Sequence, residues 1–418
     1  SIMKYDIFFS ISQTPVDGDT PSERQMLENF FEQVELADQL GFGIAWIAQA
    51  HLSTEVQKRN RKPVVPHWQG EVGLCTDFFQ LAHQVFARTS HIEVGSAVMS
   101  ILCNGGPIGV AERIANFCTL HAMRPGETRK LHVGFSAGRF EFMARPYGIV
   151  PRDSVEEASW PALRGQIFME AGSIMLSLLD GRVVSDEDTY KTVFTRSNFR
   201  SDADWERVQN AAMSLHGLEE APQSIEMPKR YRFEDLKIIP QDWPREYLSL
   251  IMGTHDPRAQ RYFNTFLPVK VFNLSITKPE VIEKVHQNMQ DWYHDDGGGW
   301  QREYMPRTTM VFVSDEPQLS EEENRAKAQK EAQKALSAYW SALQGTIDPV
   351  KVQNAAKNAL IGSVNDVVGQ ITDRFNPKDR LMLWFDFFNH DSAHVCSMMR
   401  TFQDKVIPQV EAAISTSE

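Results

Sequence analysis

Cysteine is scarce in this chain: four residues in 418, at positions 75, 103, 118 and 396, with no Cys-x-x-Cys pair among them. That spacing supplies neither a disulfide framework nor a zinc site, and it predicts reduced thiols. No apolar run approaches the length of a membrane span, and no signal-peptide pattern opens the sequence, so a cytoplasmic protein without membrane contact is expected. Positive charge is also short, with 43 Lys and Arg against 55 Asp and Glu. The resulting net charge of −12 argues against nucleic acid as a partner. Lys58-Arg59-Asn60-Arg61-Lys62 is the local exception, read as a solvated loop or an anion contact near a site mouth. Internal repeats and low-complexity tracts are missing as well.

What is present is an alternation of short apolar strands with helical sequence. Tyr5–Ile11, Gly43–Ala48, Ile92–Leu102, Leu131–Ser136, Tyr247–Met252, Val269–Ile276, Thr308–Val313 and Leu381–Phe385 read as eight buried strands. Between them, apolar residues recur at helical spacing over Gln25–Leu40, Asp77–Arg88, the stretch after Pro107, Val155–Leu179, a segment opened by Thr277-x-x-Glu280, an alanine-rich segment opened by Ser320, another opened by Ser363, and a closing segment over Ala393–Ala413. Strands alternating with helices suit either a doubly wound open sheet or a (β/α)8 barrel. No Gly-x-Gly-x-x-Gly follows the first strand, and the strand count closes at eight. The expectation is an α/β chain folded as one (β/α)8 TIM barrel over residues 1–418, with a loop insertion at about 52–76 and an elaboration at about 181–228 that serves as a cover or an outer excursion.

A barrel of this kind builds its site at the C-terminal ends of its strands. The rule marks Ser10 and Ile11, Gln49 to His51, Ala97 to Ser100, Ser136 to Arg139, Gly253 to Arg258, Asn273 to Ser275, and Asp386 to His390. These residues are small, apolar or neutral polar for the most part. They offer no carboxylate pair for glycoside hydrolysis, no His/carboxylate cluster for a metal and no strained serine elbow. Such a site holds a cofactor and leaves the chemistry to it.

Several blocks, in order along nearly the whole chain, resemble the bacterial-luciferase-like flavin-dependent monooxygenases. Trp46-Ile47-Ala48-Gln49-Ala50-His51 is similar to the family's second-strand block, with Gln49 in place of an acid, Ala50 in place of the histidine given acid/base work, and His51 matching the last histidine. Gly95-Ser96-Ala97-Val98 matches the third-strand block, where the family often has a non-proline cis peptide against the flavin; the corresponding bond here is Ala97–Val98. Leu131–Arg139 matches the block ending under the flavin, and Gly253-Thr254-His255 a turn that holds the FMN phosphate beside a helix N-terminus. Leu360–Ser363 and Phe402–Val410 resemble the family's C-terminal structural markers. The resemblance implies His51 and Gln49 as catalytic residues. It implies Ser10, Ala97, Val98, Ser136, Ala137, Gly138, Arg139, Gly253, Thr254 and His255 as cofactor-binding residues, and no metal. Arg139 stands one residue after Gly138, whereas luciferases place their phosphate-binding arginine where this chain has Ala137. The resemblance further implies a cytoplasmic homodimer that receives reduced FMN from a separate flavin reductase. Such an enzyme uses molecular oxygen to oxygenate a small organic substrate through a flavin C4a-(hydro)peroxide, with Phe8, Phe135 and Leu274 keeping the site dry. A deazaflavin-dependent dehydrogenase or reductase and a non-catalytic flavin-binding protein are the alternative readings.

Overall fold

A computed structural model describes residues 2–50, 70–71, 73–138, 141–275, 277–343 and 356–417. The expected His51 and Arg139, the basic cluster at 58–62 and most of the 52–76 loop lie outside the described residues.

Nine strands form one parallel sheet: β1 (Lys4–Phe9), β2 (Ile44–Ile47), β3 (Glu93–Ser100), β4 (Leu131–Ser136), β7 (Leu248–Met252), β8 (Val269–Val271), β9 (Arg307–Val313), β10 (Leu360–Gly362) and β11 (Arg380–Trp384). Pairing runs β10-β9-β11-β1-β2-β3-β4-β7-β8. The ring closes where Asn273, just past β8, bridges Arg307 at the start of β9. Asn273 N donates to Pro306 O (2.9 Å), and Thr308 N donates to Asn273 O (3.2 Å). The architecture is therefore the expected barrel, with one strand more than the eight expected. The extra strand is β10, which pairs with the last three residues of β9 while β11 pairs with its first four. Three residues are too few to show a period in the sequence.

Helices wrap the outside: α1 (Glu23–Leu40), α2 (Phe78–Arg88), α3 (Gly106–Ala122), α4 (Glu141–Ala144), α5 (Ser154–Ala158), α6 (Trp160–Leu179), α7 (Asp202–His216), α8 (Pro257–Phe263), α9 (Pro279–Trp292), α10 (Glu321–Leu343), α11 (Val364–Arg374), α12 (Ser392–Thr401) and α13 (Ile407–Ser417). Ser320 and Glu323 make the expected reciprocal cap of α10, and Ser363 with Asp366 makes that of α11. Thr277 does not cap α9. Its hydroxyl accepts from Leu274 N (2.9 Å) inside a turn, and Pro279 starts the helix in the first-turn position that proline favours. The single helix expected over Val155–Leu179 is two, broken at Ser159 because Pro161 has no N–H to carry the ladder through. Pro408 does the same to the closing helix, where Phe402–Val406 widens into a π turn.

Inside the barrel, side chains alternate inward and outward along each strand. The inward rows stack in layers. Asp6, Glu93, His132, Lys270 and Arg380 fill the N-terminal end, tied by Arg380 Nη1 to Asp6 (2.8 Å) and His132 Nε2 to Glu93 (2.9 Å). Above them lie Phe8, Ile44, Trp46, Ile251, Phe272 and Met382. Two glycines make room for the large rings: a Cβ on Gly95 would come within 2.4 Å of Trp46, and one on Gly134 within 2.4 Å of Phe272. Ala48, Ala97, Val98 and Trp384 top this cluster and are only partly buried, so they form the floor of the barrel mouth.

The 181–228 elaboration contains the two-stranded antiparallel pair β5 (Val193–Phe194) and β6 (Ile225–Glu226) together with α7. It is bonded to the flank of α6. Tyr190 N donates to Ser173 Oγ (3.0 Å), Tyr190 Oη to Gln166 (2.6 Å), and the returning chain gives Arg230 N and Tyr231 N to the buried Glu170 carboxylate (3.0 and 2.9 Å). These contacts make it a buttress on the wall, not a cover over the strand ends.

Candidate functional site

Ten of the twelve residues implied as catalytic or cofactor-binding are described, and the structure brings most of them to one mouth. A Cβ on Gly253 would lie 3.3 Å from Val98 Cγ1 and 3.4 Å from Ser136 Cβ, so the ends of β3, β4 and β7 converge. The Ala97–Val98 peptide is cis. After β4 the chain turns tightly: Ser136 Oγ accepts from Gly138 N (3.1 Å), and Ser100 Oγ donates to Ala137 O (2.9 Å). Gly138 sits at φ +89°, and a Cβ there would come 2.9 Å from Ser100 Oγ, so both backbone and space call for glycine.

Gln49 reaches across from β2. Its Nε2 donates to Asn104 Oδ1 (2.9 Å) and to Thr76 O (3.3 Å), while its Oε1 is buried without a partner among the described residues. Asn104 is in turn held by its own Nδ2 on Ser100 O (2.9 Å), so the Gln49 amide is fixed in orientation. Ser10, at the end of β1, donates to Asp386 Oδ2 (3.4 Å) at the end of β11.

Other expected residues serve differently. His255 Nε2 lies 2.9 Å from Phe272 O and 3.1 Å from Asn273 Oδ1, bracing β7 against β8. Thr254 Oγ1 accepts from Asp256 N (3.2 Å), and the Asp256 carboxylate caps the seven-residue α8 through Arg258 N (3.0 Å). That helix start is thus already supplied with a negative charge, which Arg258 neutralises at 3.1 Å. Phe135 faces outward onto Phe168 and Phe263, because the inward positions of β4 are Gly134 and Ser136. Leu274 is 53% exposed beyond β8. Of the three residues expected to keep the site dry, only Phe8 packs inside the barrel.

Arg164 and Trp384 acquire a place that sequence alone did not give them, and Asp386, an expected strand-end position, acquires its surroundings. Arg164, near the start of α6, donates to Gly138 O (3.3 Å) and brings a guanidinium to the β4 turn. Trp384 and Asp386 continue the inward row of β11 from Met382. Trp384 Nε1 and Asp386 Oδ1 are buried and unpartnered among the described residues. Burial pushes the Asp386 carboxyl up to about 7, against the pull of hydrogen bonds from Ser10 and of the Trp384 indole beside it. The strand-end rule reaches Asp386, and counting every second residue from Met382 is the signal that turns it inward. Among the described residues no group of three His, Cys, Asp or Glu could hold a metal ion, and no helix is long and apolar enough to cross a membrane. All four cysteines are free and buried.

A family model described as luciferase-like monooxygenase matches residues 3–221, just over half of the chain. The chain belongs to the luciferase-like monooxygenase family. Solved structures share its fold over almost the full length. The luciferase-like monooxygenase chain is 16% identical to the monooxygenase RslO1 from Streptomyces bottropensis, with a TM-score of 0.65 over 97% of this chain and 99% of that one. It is 12% identical to the oxygenating constituent of 3,6-diketocamphane monooxygenase from the CAM plasmid of Pseudomonas putida, a type II Baeyer–Villiger monooxygenase in complex with FMN (TM-score 0.57; 98% and 99% covered). An F420-dependent secondary alcohol dehydrogenase in complex with an F420-acetone adduct is 14% identical (TM-score 0.56; 98% and 99% covered). No functionally curated protein matches the sequence. At these identities the structural likeness is one of fold.

Proposed function

We propose that this luciferase-like protein is an FMN-dependent monooxygenase that takes reduced flavin from a separate reductase and oxygenates a small apolar substrate. One observation carries the reading: the mouth has a partly exposed apolar floor of Ala48, Ala97 and Val98, walls of small residues at Ser136, Gly138 and Gly253, and at its edge a fixed Gln49 carbonyl oxygen with no partner among the described residues. A flat ring with polar atoms on its rim fits that shape, and the buried Gln49 oxygen gives it one acceptor to meet. When bound, reduced FMN would supply the electrons that activate dioxygen.

The chain's own part is positioning and exclusion of water. Ala97 and Val98 present the floor, Gln49 orients one edge, and the Ser136–Gly138 turn lets the backbone approach closely. Arg164 offers the phosphate a charge-assisted donor beside Gly138. Phe8, Trp46 and Phe272 seal the floor from below, so water cannot enter through the barrel. Ala50 has no proton to give or take, which leaves that work to another group at the mouth.

Arg164→Ala separates the phosphate contact from the ring site. The variant is expected to bind FMN about tenfold more weakly, the value of one charge-assisted contact, while riboflavin, which has no phosphate, binds as before. Fluorescence titration of both ligands measures this. Equal weakening of the two would remove Arg164 from the phosphate site, and binding of reduced F420 in preference to reduced FMN would replace the oxygenase reading with the deazaflavin one.

A further inference from the structure

The charged layer at the N-terminal end of the barrel, opposite the mouth, plays no part in the reading above. Its acids are already engaged. Asp6 accepts from Ile44 N, Trp46 Nε1 and Arg380 Nη1, and Glu93 accepts from His132 Nε2 (2.9 Å) and Lys130 N (2.6 Å). Glu303, on the turn before β9, lies 3.6 Å from Arg380 Nη2. Lys270, the inward lysine of β8, is left without an acid of its own. Among the described residues its ε-amine makes no hydrogen bond and no ion pair, and it stands over the face of Tyr304, 4.3 Å from the ring centroid. A second group of this layer is also unengaged. Ile251 of β7 pairs with Lys270, and the inward residue two before it, Ser249, has a buried hydroxyl with no partner among the described residues.

The layer meets solvent at this point. Lys270, Glu303 and Tyr304 keep partial exposure, and Lys130 is exposed. Burial disfavours the charge on Lys270 most, and the positive charges of Arg380 and Lys130 add to it, against the pull of Glu303 and Glu93. The balance lowers its pKa to about 8. Asp6, held by Arg380, and His132, whose pKa burial lowers, complete the titratable groups of the layer among the described residues. An amine with solvent access and neither acceptor nor counter-ion is available as a nucleophile.

We propose that Lys270 is a modification site, its ε-amine taking an acyl group from a small acyl thioester or acyl phosphate. The amine nitrogen attacks the acyl carbon and an N–C bond forms. The C–S or C–O bond breaks, the thiolate or phosphate leaves, and the proton of the amine passes to solvent. The product is a neutral amide, which a partly buried position tolerates better than an ammonium ion. The Ser249 hydroxyl on the neighbouring strand offers that amide a hydrogen-bonding group with no other partner. The inference does not rest on flavin binding.

The test incubates the full-length protein at pH 8 with acetyl-coenzyme A in one arm and acetyl phosphate in the other, and follows each lysine by peptide mass spectrometry. At that pH about half of Lys270 is free base, against about one part in 250 for an ordinary lysine. Lys270 is expected to react about tenfold faster than the exposed Lys278 and Lys284, the free-base advantage less the cost of reaching a partly buried amine. Competitive labelling with acetic anhydride from pH 6 to 11 should give it a midpoint near pH 8. Lys130→Met removes a repelling charge and should raise the midpoint. Glu303→Gln removes an attracting one and should lower it, whereas a lysine that is merely accessible would respond to neither. Lys270→Arg should lose the label while the other sites keep theirs. Fast reaction in either arm supports the proposal and names the donor. Reaction in both arms no faster than at Lys278 and Lys284, or a midpoint that neither neighbouring substitution moves, would overturn it.

Discussion

Replacing Asp6 by alanine is expected to destabilise the fold by about 3–5 kcal/mol, a fall of about 3–6 °C in the thermal midpoint of a chain this long. Asp6 is fully buried at the N-terminal end of the barrel. Its carboxylate accepts from Ile44 N (3.0 Å), Trp46 Nε1 (2.8 Å) and Arg380 Nη1 (2.8 Å), joining β1, β2 and β11 in one knot. Alanine would leave two neutral donors in the interior without their acceptor and the guanidinium with only its longer contact to Glu303 (3.6 Å). Removing one partner of such a set costs far more than its net worth, because the remaining charge stays buried. The nearby Gly43 fits the same knot, since a Cβ there would lie 2.8 Å from Asp6 Oδ1. Calorimetry and urea unfolding at pH 7 measure the effect. A loss below about 1 kcal/mol would mean that the three donors find other partners and that the knot does not hold the strands. The consequence reaches function, because Ser10, Gln49 and Asp386 stand at the far ends of those same three strands.

Gly134→Ala should be nearly as damaging for a different reason. The added Cβ would sit 2.1 Å from Ser96 O and 2.4 Å from Phe272 Cε2. Ser96 is itself bound to Gly134 O through its hydroxyl (2.8 Å), so the clash falls on a backbone that cannot rotate away. Overpacking of a filled core costs about 1–3 kcal/mol, and a contact against backbone belongs at the upper end. Gly165→Ala is the control: it lies in α6 with nothing within 4 Å of the added Cβ, and it should stabilise slightly, by about 0.5–1 kcal/mol. Thermal midpoints of the two variants would separate the effects. Equal stability of Gly134→Ala and the parent would contradict the register of β3 against β4, and with it the convergence of Val98, Ser136 and Gly253 at the mouth.

The barrel strands were legible because the core needs apolar residues on their outward rows, and above the charged layer of Asp6, Glu93, His132, Lys270 and Arg380 their inward rows are apolar too, so each reads as a short apolar run bounded by polar residues or glycine. β10 escaped this reading, since three residues of Leu360-Ile361-Gly362 carry no period and take their strand form from β9. Helix starts at Ser320 and Ser363 followed from the reach of a hydroxyl to a backbone N–H three residues on. The same spacing at Thr277 failed because Pro279 fixed the start of α9 and left the threonine to a turn. Pro161 and Pro408 were visible as prolines, but whether proline opens, breaks or widens a helix depends on the tertiary path around it.

At the site, position along a strand was readable and direction was not always respected. Phe135 and His255 stand at strand ends, yet one points into the helical layer and the other braces two strands. Ser136, Gly138 and Gly253 were legible as small residues at the strand ends, because close approach of backbone is a property of the residue itself. Arg164 was not, since a helix arginine has no signature until Gly138 is seen beside it, and Asp386 was legible as a strand-end position but not in its partnership with Ser10.

The most direct test of the flavin reading is an anaerobic titration with reduced FMN, followed by mixing with air-saturated buffer in a stopped-flow spectrometer. Saturable binding is expected, and then a transient absorbance distinct from both reduced and oxidised flavin before the oxidised spectrum appears. Direct conversion of bound reduced FMN to the oxidised form, or failure to bind it while reduced F420 binds, would contradict an FMN-dependent monooxygenase.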